Sequence, residues 1–217
     1  MSTPSLLRDA EHDVLCRITL SGTVLDLGGD KRSAYQSLCM GTYTVTTVNA
    51  DPASRPDIVH DLERPLPIAD ASFDTVMMIN VLEHIFQYHA LLAESARVMK
   101  PGGNIITVVP FLFPTHPSPH DYWRFTEEAL RKEFEMLHLE DVSILPLGGG
   151  VYAARYLFID RLMPCALRFV SYYTLRYLVR LFDVAFAGVA HAIGKKYESS
   201  DYALGYIVTA RKPITAR

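Results

Sequence analysis

The order of elements along this 217-residue chain predicts an α/β fold built on a mostly parallel sheet. The first observation is Val24-Leu25-Asp26-Leu27, a short apolar run with one acid, leading straight into Gly28-Gly29. Such a run fits a strand covered on both faces, and paired glycines let the backbone turn tightly while leaving its N–H groups open to a ligand. The second is that further apolar and β-branched runs alternate with helical stretches at the spacing of βαβ units. The third is composition: 49% hydrophobic and 21% charged residues describe a globular chain with a proper core.

Residues 5–18 mix apolar and charged positions at helical spacing and predict a leading helix. A strand at Thr23–Leu27 is followed by a short helix between Arg32 and Met40, closed by Gly41. The β-branched run Tyr43–Val48 predicts a second strand, Ile58–His60 a brief third and Phe73–Ile79 a fourth. Gln87–Met99 reads as a helix stopped by Lys100-Pro101-Gly102-Gly103, and Asn104–Val109 as a fifth strand. Pro110–Arg124 is a loop. Thr126 is a good N-cap for a helix running to His138, with Glu127 and Glu128 at its positive end. Val142–Leu147 and Tyr206–Ala210 complete seven strands, and residues 151–196 form a helical insertion before the last one. The whole of 1–217 is read as one domain.

Charge and cysteines narrow the class. A net charge of −3 offers no broad footprint for nucleic acid, and no nucleic-acid partner is expected. Cys16, Cys39 and Cys165 are odd in number and lack metal-ligand spacing, so reduced thiols in a cytoplasmic protein are expected. Arg8, Asp9, Glu11 and Asp13 stand where an export signal would need an apolar run. The Gly-x-Gly-x-x-Gly fingerprint of dehydrogenases fails at Ser33, and no P-loop is present.

Several short motifs fall in one order: Val24–Gly29, Asn49-Ala50-Asp51-Pro52, Asp61-Leu62, Ser72-Phe73-Asp74, Asn80-Val81-Leu82-Glu83-His84 and Met99–Gly103. Together they resemble the class I S-adenosylmethionine-dependent methyltransferases, in the small-molecule branch, over residues ~20–140. That resemblance implies a Rossmann-like sheet with helices on both faces and S-adenosylmethionine as cofactor. It implies that Asp26 faces the cofactor's ammonium group, with the Gly28 and Gly29 backbone beside it. Asn49 stands where an acid usually binds the ribose hydroxyls, and Asp51 could share that role. Asp61 would accept from the adenine amino group, Leu62 would pack on the ring, and Asn80 would lie at the methionine end. The family often has Gly where this chain has Asp30. Asn49 and Asp30 also leave room for a rival reading, a non-catalytic scaffold of the same fold.

The loop after the fifth strand is where this fold meets its acceptor. His120 beside Asp121 is the first choice for a general base, His116 the second and His84 the third. Tyr122, Trp123 and Arg124 are candidate substrate contacts, Arg124 because its fork suits a phosphate or carboxylate. A divalent metal on His116, His120 and Asp121 is awkward at such rigid local spacing, and no metal is expected. The pattern His116-Pro117-Ser118-Pro119-His120-Asp121-Tyr122-Trp123-Arg124 is similar to one in methyltransferases encoded among bacterial surface-polysaccharide enzymes. It implies a hydroxyl acceptor, with an amine second, on a small or sugar-containing molecule.

Residues 152–196 carry seven basic side chains, Arg161 among them, against two acidic ones. Residues 152–193 read as two helices broken near Pro164 with little polar face. Three roles stand open: a lid over the sheet and cofactor pocket, a homodimer interface, or attachment to the inner face of a membrane.

Overall fold

The structure is a computed structural model that describes residues 5–29, 34–160 and 162–214. Asp30, Ser33, Arg161 and the expected helix start at Arg32 lie outside the described residues, as does the Cys165 side chain. The strands are β1 (Thr19–Leu27), β2 (Met40–Asn49), β3 (Ile58–Val59), β4 (Phe73–Ile79), β5 (Met99–Pro110), β6 (Glu140–Leu147) and β7 (Gly205–Arg211). The helices are α1 (Leu6–Leu15), α2 (Tyr88–Val98), α3 (Glu127–Met136), α4 (Val151–Asp160) and α5 (Cys165–Ala192).

The seven strands form one sheet in the order β3-β2-β1-β4-β5-β7-β6, parallel except for β7, which runs antiparallel to both neighbours. This is the Rossmann-like α/β arrangement expected from the sequence. Side chains alternate between the sheet's two faces. Leu25, Leu27, Val76, Met78 and Ile105 point to one layer, completed by Leu91 and Leu92 of α2 and Leu130 and Phe134 of α3. Val24, Met77, Ile79, Ile106 and Val108 point to the other, completed by α1, α4 and Val179 of α5. Phe134 is fully buried, so truncating it to Ala would cost about 3–5 kcal/mol.

Three boundaries differ from the sequence reading. β1 begins at Thr19, because its polar first half pairs with Met40–Tyr43 of β2 before reaching the core. Between Arg32 and Met40 the described chain makes only a 3-10 turn, Ala34–Ser37, and Gly41 sits inside β2. α2 ends at Val98 as expected, but Lys100–Gly103 already belong to β5, where the register against β4 shifts between Phe73 and Thr75.

Caps follow local chemistry. Ser5 Oγ accepts from the Arg8 N–H at the start of α1, and Thr126 Oγ1 from Ala129 N–H at the start of α3. Asp183 of α5 accepts from the Tyr152 and Ala153 N–H groups at 2.8 and 2.9 Å, satisfying the otherwise unpaired amides that open α4.

α5 touches the body along one narrow face, through Tyr172, Val179, Asp183 and Ala190. Its arginines turn inward to acids of the chain: Arg168 to Asp160, Arg176 to Asp9 and Arg180 to Asp13. Among the described residues, no helix is long and apolar enough to cross a membrane.

Candidate functional site

Strand order reverses between β1 and β4, and there the loops at the strands' carboxyl ends part to leave a crevice. It has two lobes of about 510 and 480 Å³, and Gly28, Asn80, His84 and Ser118 line both. One lobe is bounded by Asn49, Asp61, Leu62, His120 and Tyr122. The other is bounded by Arg8, Glu11, His12, Tyr35 and His116.

Gly28 holds φ at +81°, and its N–H donates to Val48 O at 2.7 Å. A side chain there would run into Val81, so the main chain itself faces the crevice. A side chain at Gly29 would collide with the Asp26 carboxylate, which lies directly beneath the turn.

Asp26 lies behind this turn. It is fully buried, lines neither lobe, and accepts from Tyr35 Oη at 2.9 Å and Gln36 Nε2 at 2.6 Å. It braces the glycine turn from below. Asn49 does reach the crevice, yet both ends of its amide are engaged. Nδ2 donates to Gly28 O at 2.8 Å and Oδ1 accepts from Asp51 N–H at 2.9 Å, tying the turn after β2 to the turn after β1. Asp51 caps the 52–54 turn through Ala53 N–H and lines neither lobe.

Asp61 stands at the wall of the 480 Å³ lobe with buried Leu62 beside it. Its Oδ1 accepts from Glu63 N–H at 3.0 Å, while the carboxylate stays half exposed. The connector is pinned to α2 by Leu66 N–H donating to Glu94 and by Arg97 donating to the Ile68 and Leu66 carbonyls. Asn80 adopts φ +54°, a left-handed conformation that Asn tolerates, and donates to Glu11 Oε1.

The loop after β5 is rearranged relative to expectation. Tyr122 and Trp123 N–H both donate to Glu83 O, at 2.7 and 3.3 Å, clamping the loop onto the 82–84 turn. Asp121 does not partner His120. Its nearly buried carboxylate receives Arg124 Nη1 at 2.5 Å, Arg124 Nη2 at 2.8 Å and His116 N–H at 2.8 Å. Those bonds, Arg124 first, hold the Asp121 carboxyl well below the usual carboxylate range. Arg124 also donates to the Phe113 and Trp123 carbonyls, so its fork is spent inside the loop and is not free for a substrate anion. Trp123 donates from Nε1 to Ile85 O and packs against Phe86 and Tyr88, anchoring the loop away from both lobes. His120 stands beside Tyr122 in the Asp61 lobe.

His116 and His84 are brought together instead, rings 5.1 Å apart, around the fully buried Glu83 carboxylate. Two participants went unrecognised in the sequence, Glu83 and Glu11. Glu11 interrupts the apolar stripe Leu7–Glu11–Leu15 at helical spacing, a signal that a carboxylate is aimed inward. It is buried, and burial pushes its carboxyl above the usual range against the opposing pulls of Arg8 and Asn80.

The fold and this switch-point crevice define a class I S-adenosylmethionine-dependent methyltransferase architecture. Residues 25–107 match the model of the methyltransferase-domain family. A probable S-adenosylmethionine-dependent methyltransferase of Mycolicibacterium smegmatis is 34% identical over 103 residues, covering 48% of this chain and 40% of that protein. The alignments span 31–49% of the length of the curated relatives that the chain matches. Among solved structures, the [4+2]-cyclase SpnF superposes with a TM-score of 0.62 at 19% identity, over 96% of this chain and 82% of that one. Phosphoethanolamine N-methyltransferase 2 of Haemonchus contortus, in complex with S-adenosyl-L-methionine, gives 0.58 at 13% identity, over 94% and 52%. At such identities the likeness is one of fold.

Proposed function

We propose that the chain transfers a methyl group from S-adenosylmethionine to a hydroxyl, with an amine as second choice, of a small or sugar-containing acceptor. The observation that carries this is the two-lobed crevice, with the Asp61 carboxylate in one lobe and the His84–His116 pair in the other. The residues present fit the cofactor: a main chain bared at Gly28, an accessible carboxylate on Asp61, and an apolar wall at Leu62 and Val81. When bound, S-adenosylmethionine supplies a methyl group already activated by the sulfonium charge. Asp61 would accept from the purine amino group, and Gly28 and Asn80 would border the junction of the lobes. Asp26, Asn49 and Gly29 act one step back, holding the glycine turn in shape.

Because the leaving group is activated, the protein's work is alignment and removal of the acceptor's proton. The Glu83–His84–His116 cluster, and not His120 with Asp121, is placed to receive that proton. Incubation with methyl-labelled S-adenosylmethionine and a panel of sugar, phenolic and amine acceptors tests the reading. Label on a hydroxyl supports it; label on amines alone, or none, overturns the acceptor assignment. The fold shared with a cyclase keeps one alternative in view, a scaffold that binds without transferring methyl.

The insertion lines neither lobe, so the lid reading loses its support. Its outward face, with Phe169, Tyr173, Leu181 and Val184 exposed, carries few cations because the arginines point at α1 and α4. That supports self-association over attachment to an anionic membrane. A role in surface-glycan synthesis on the cytoplasmic side rests on the loop's resemblance alone.

A further inference from the structure

We propose that Glu83, His84 and His116 form a binding site for one divalent transition-metal cation at the edge of the crevice. The argument starts from hydrogen positions. His84 Nδ1 lies 2.6 Å from His120 O, and His116 Nδ1 lies 3.1 Å from Pro114 O. A carbonyl oxygen only accepts, so each Nδ1 carries a proton, and in the neutral ring each Nε2 holds the lone pair. The contact of Arg124 Nη2 with His116 Nδ1, at 3.5 Å, is longer and does not displace that bond, and Asp121 Oδ2 at 3.4 Å reinforces the Nδ1–H assignment.

Both lone pairs then converge on a third acceptor. His84 Nε2 and His116 Nε2 stand 3.7 and 3.6 Å from Glu83 Oε1, too far for hydrogen bonds. The Glu83 side chain is fully buried, and neither carboxylate oxygen has a hydrogen-bond partner. A buried carboxylate with no hydrogen-bond partner, faced by two ring lone pairs, is stabilised by a cation placed among them. The ligand atoms all fall within 4.8 Å of one another, compatible with the ~3.3 Å spacing that tetrahedral bonds of about 2.0–2.1 Å require after small side-chain adjustments.

The outer contacts match as well. Metal-bound histidines characteristically donate their other ring N–H to a backbone carbonyl or carboxylate, which fixes ring orientation. Both histidines do so here. Two imidazoles and one carboxylate suit Zn²⁺, Fe²⁺ or Mn²⁺ and leave coordination positions open. Because His84 and His116 line the 510 Å³ lobe, the open side faces it and would take an oxygen of a ligand there.

The metal site stands without the methyl-transfer reading; only the role of that oxygen as the acceptor's rests on it. With a cation bound, the two histidines would be ligands in place of proton acceptors; the cation would lower the acceptor hydroxyl's pKa, and the proton would pass to water in the crevice.

The test is titration of the chelator-treated full chain with Co²⁺, followed by visible absorption. One equivalent is expected to bind with a ligand-field spectrum. His84→Ala and His116→Ala should each weaken binding by more than the roughly 10–100-fold that loss of an outer partner costs. His191→Ala, an exposed histidine at the end of α5 that lines neither lobe, should leave binding unchanged. Should a variant fail to fold, Zn²⁺ protection of His84 and His116 from diethyl pyrocarbonate in the wild-type chain reads the same ligation. Absence of binding at millimolar Co²⁺, or equal binding in the histidine variants, overturns the proposal and leaves a proton shared by the cluster. Calorimetry with S-adenosylmethionine is a separate readout, so either reading can fail alone.

Discussion

Asn80, at the carboxyl end of β4, donates from Nδ2 to Glu11 Oε1 at 2.9 Å, joining the first helix to the switch crevice across 69 residues. Glu11 is buried with a raised pKa, so the folded state holds its proton more tightly than the unfolded chain. The sign follows: as pH rises from the ordinary carboxylate range through the raised value, ionisation of Glu11 costs stability. Glu11→Gln keeps an acceptor for Asn80 without the charge. Its stability relative to wild type is therefore expected to improve as pH rises through that window, measured by thermal melts across pH. Glu11→Ala, which leaves Asn80 Nδ2 unpaired, is expected to cost about 2 kcal/mol below that window and less as pH rises through it.

Asp121 titrates in the opposite sense. Its carboxyl is held low by Arg124, so the pair stabilises the fold above the unfolded Asp value near ~4, and that contribution is lost as pH falls through the lower folded value. Asp121→Ala is expected to cost about 3 kcal/mol at neutral pH by stranding Arg124. Denaturant melts followed by the fluorescence of Trp123, the chain's one tryptophan, give the measurement. A variant as stable as wild type would show that the loop does not depend on this pair.

Restoring the acid that the family usually carries after the second strand is expected to harm this chain. Asn49→Asp removes the donor to Gly28 O and sets a carboxylate against that carbonyl. The expected cost is about 1–2 kcal/mol with no gain in ligand affinity, read by melts and calorimetry together.

The α5 face makes a hydrodynamic prediction. Light scattering at micromolar concentration is expected to report a dimer, and Leu181→Glu with Val184→Glu a monomer of unchanged helicity. Both positions are exposed in the chain by itself, so the substitutions burden only an interface.

Much of this was legible in the sequence because it is local. Gly28 is needed for its backbone, Leu62 and the strands show themselves by apolar period, and Thr126 caps by residue type. Side-chain pairings chosen in space were not legible in the sequence. His120 and Asp121 are adjacent, yet the carboxylate turns to Arg124, three residues on, whose planar fork binds it in two places. His116 meets His84 and Glu83 from a loop more than thirty residues later, a convergence that no spacing rule encodes. The insertion's arginines read as a basic face, since their partners Asp9 and Asp13 lie at the other end of the chain.

The measurement closest to the central claim is calorimetry of the wild-type chain and Asp61→Ala with S-adenosylmethionine and S-adenosylhomocysteine. Saturable heat is expected with both ligands, and the variant should bind at least about tenfold more weakly, the value of one hydrogen bond to a charged group. No heat from either ligand at millimolar concentration would contradict the account.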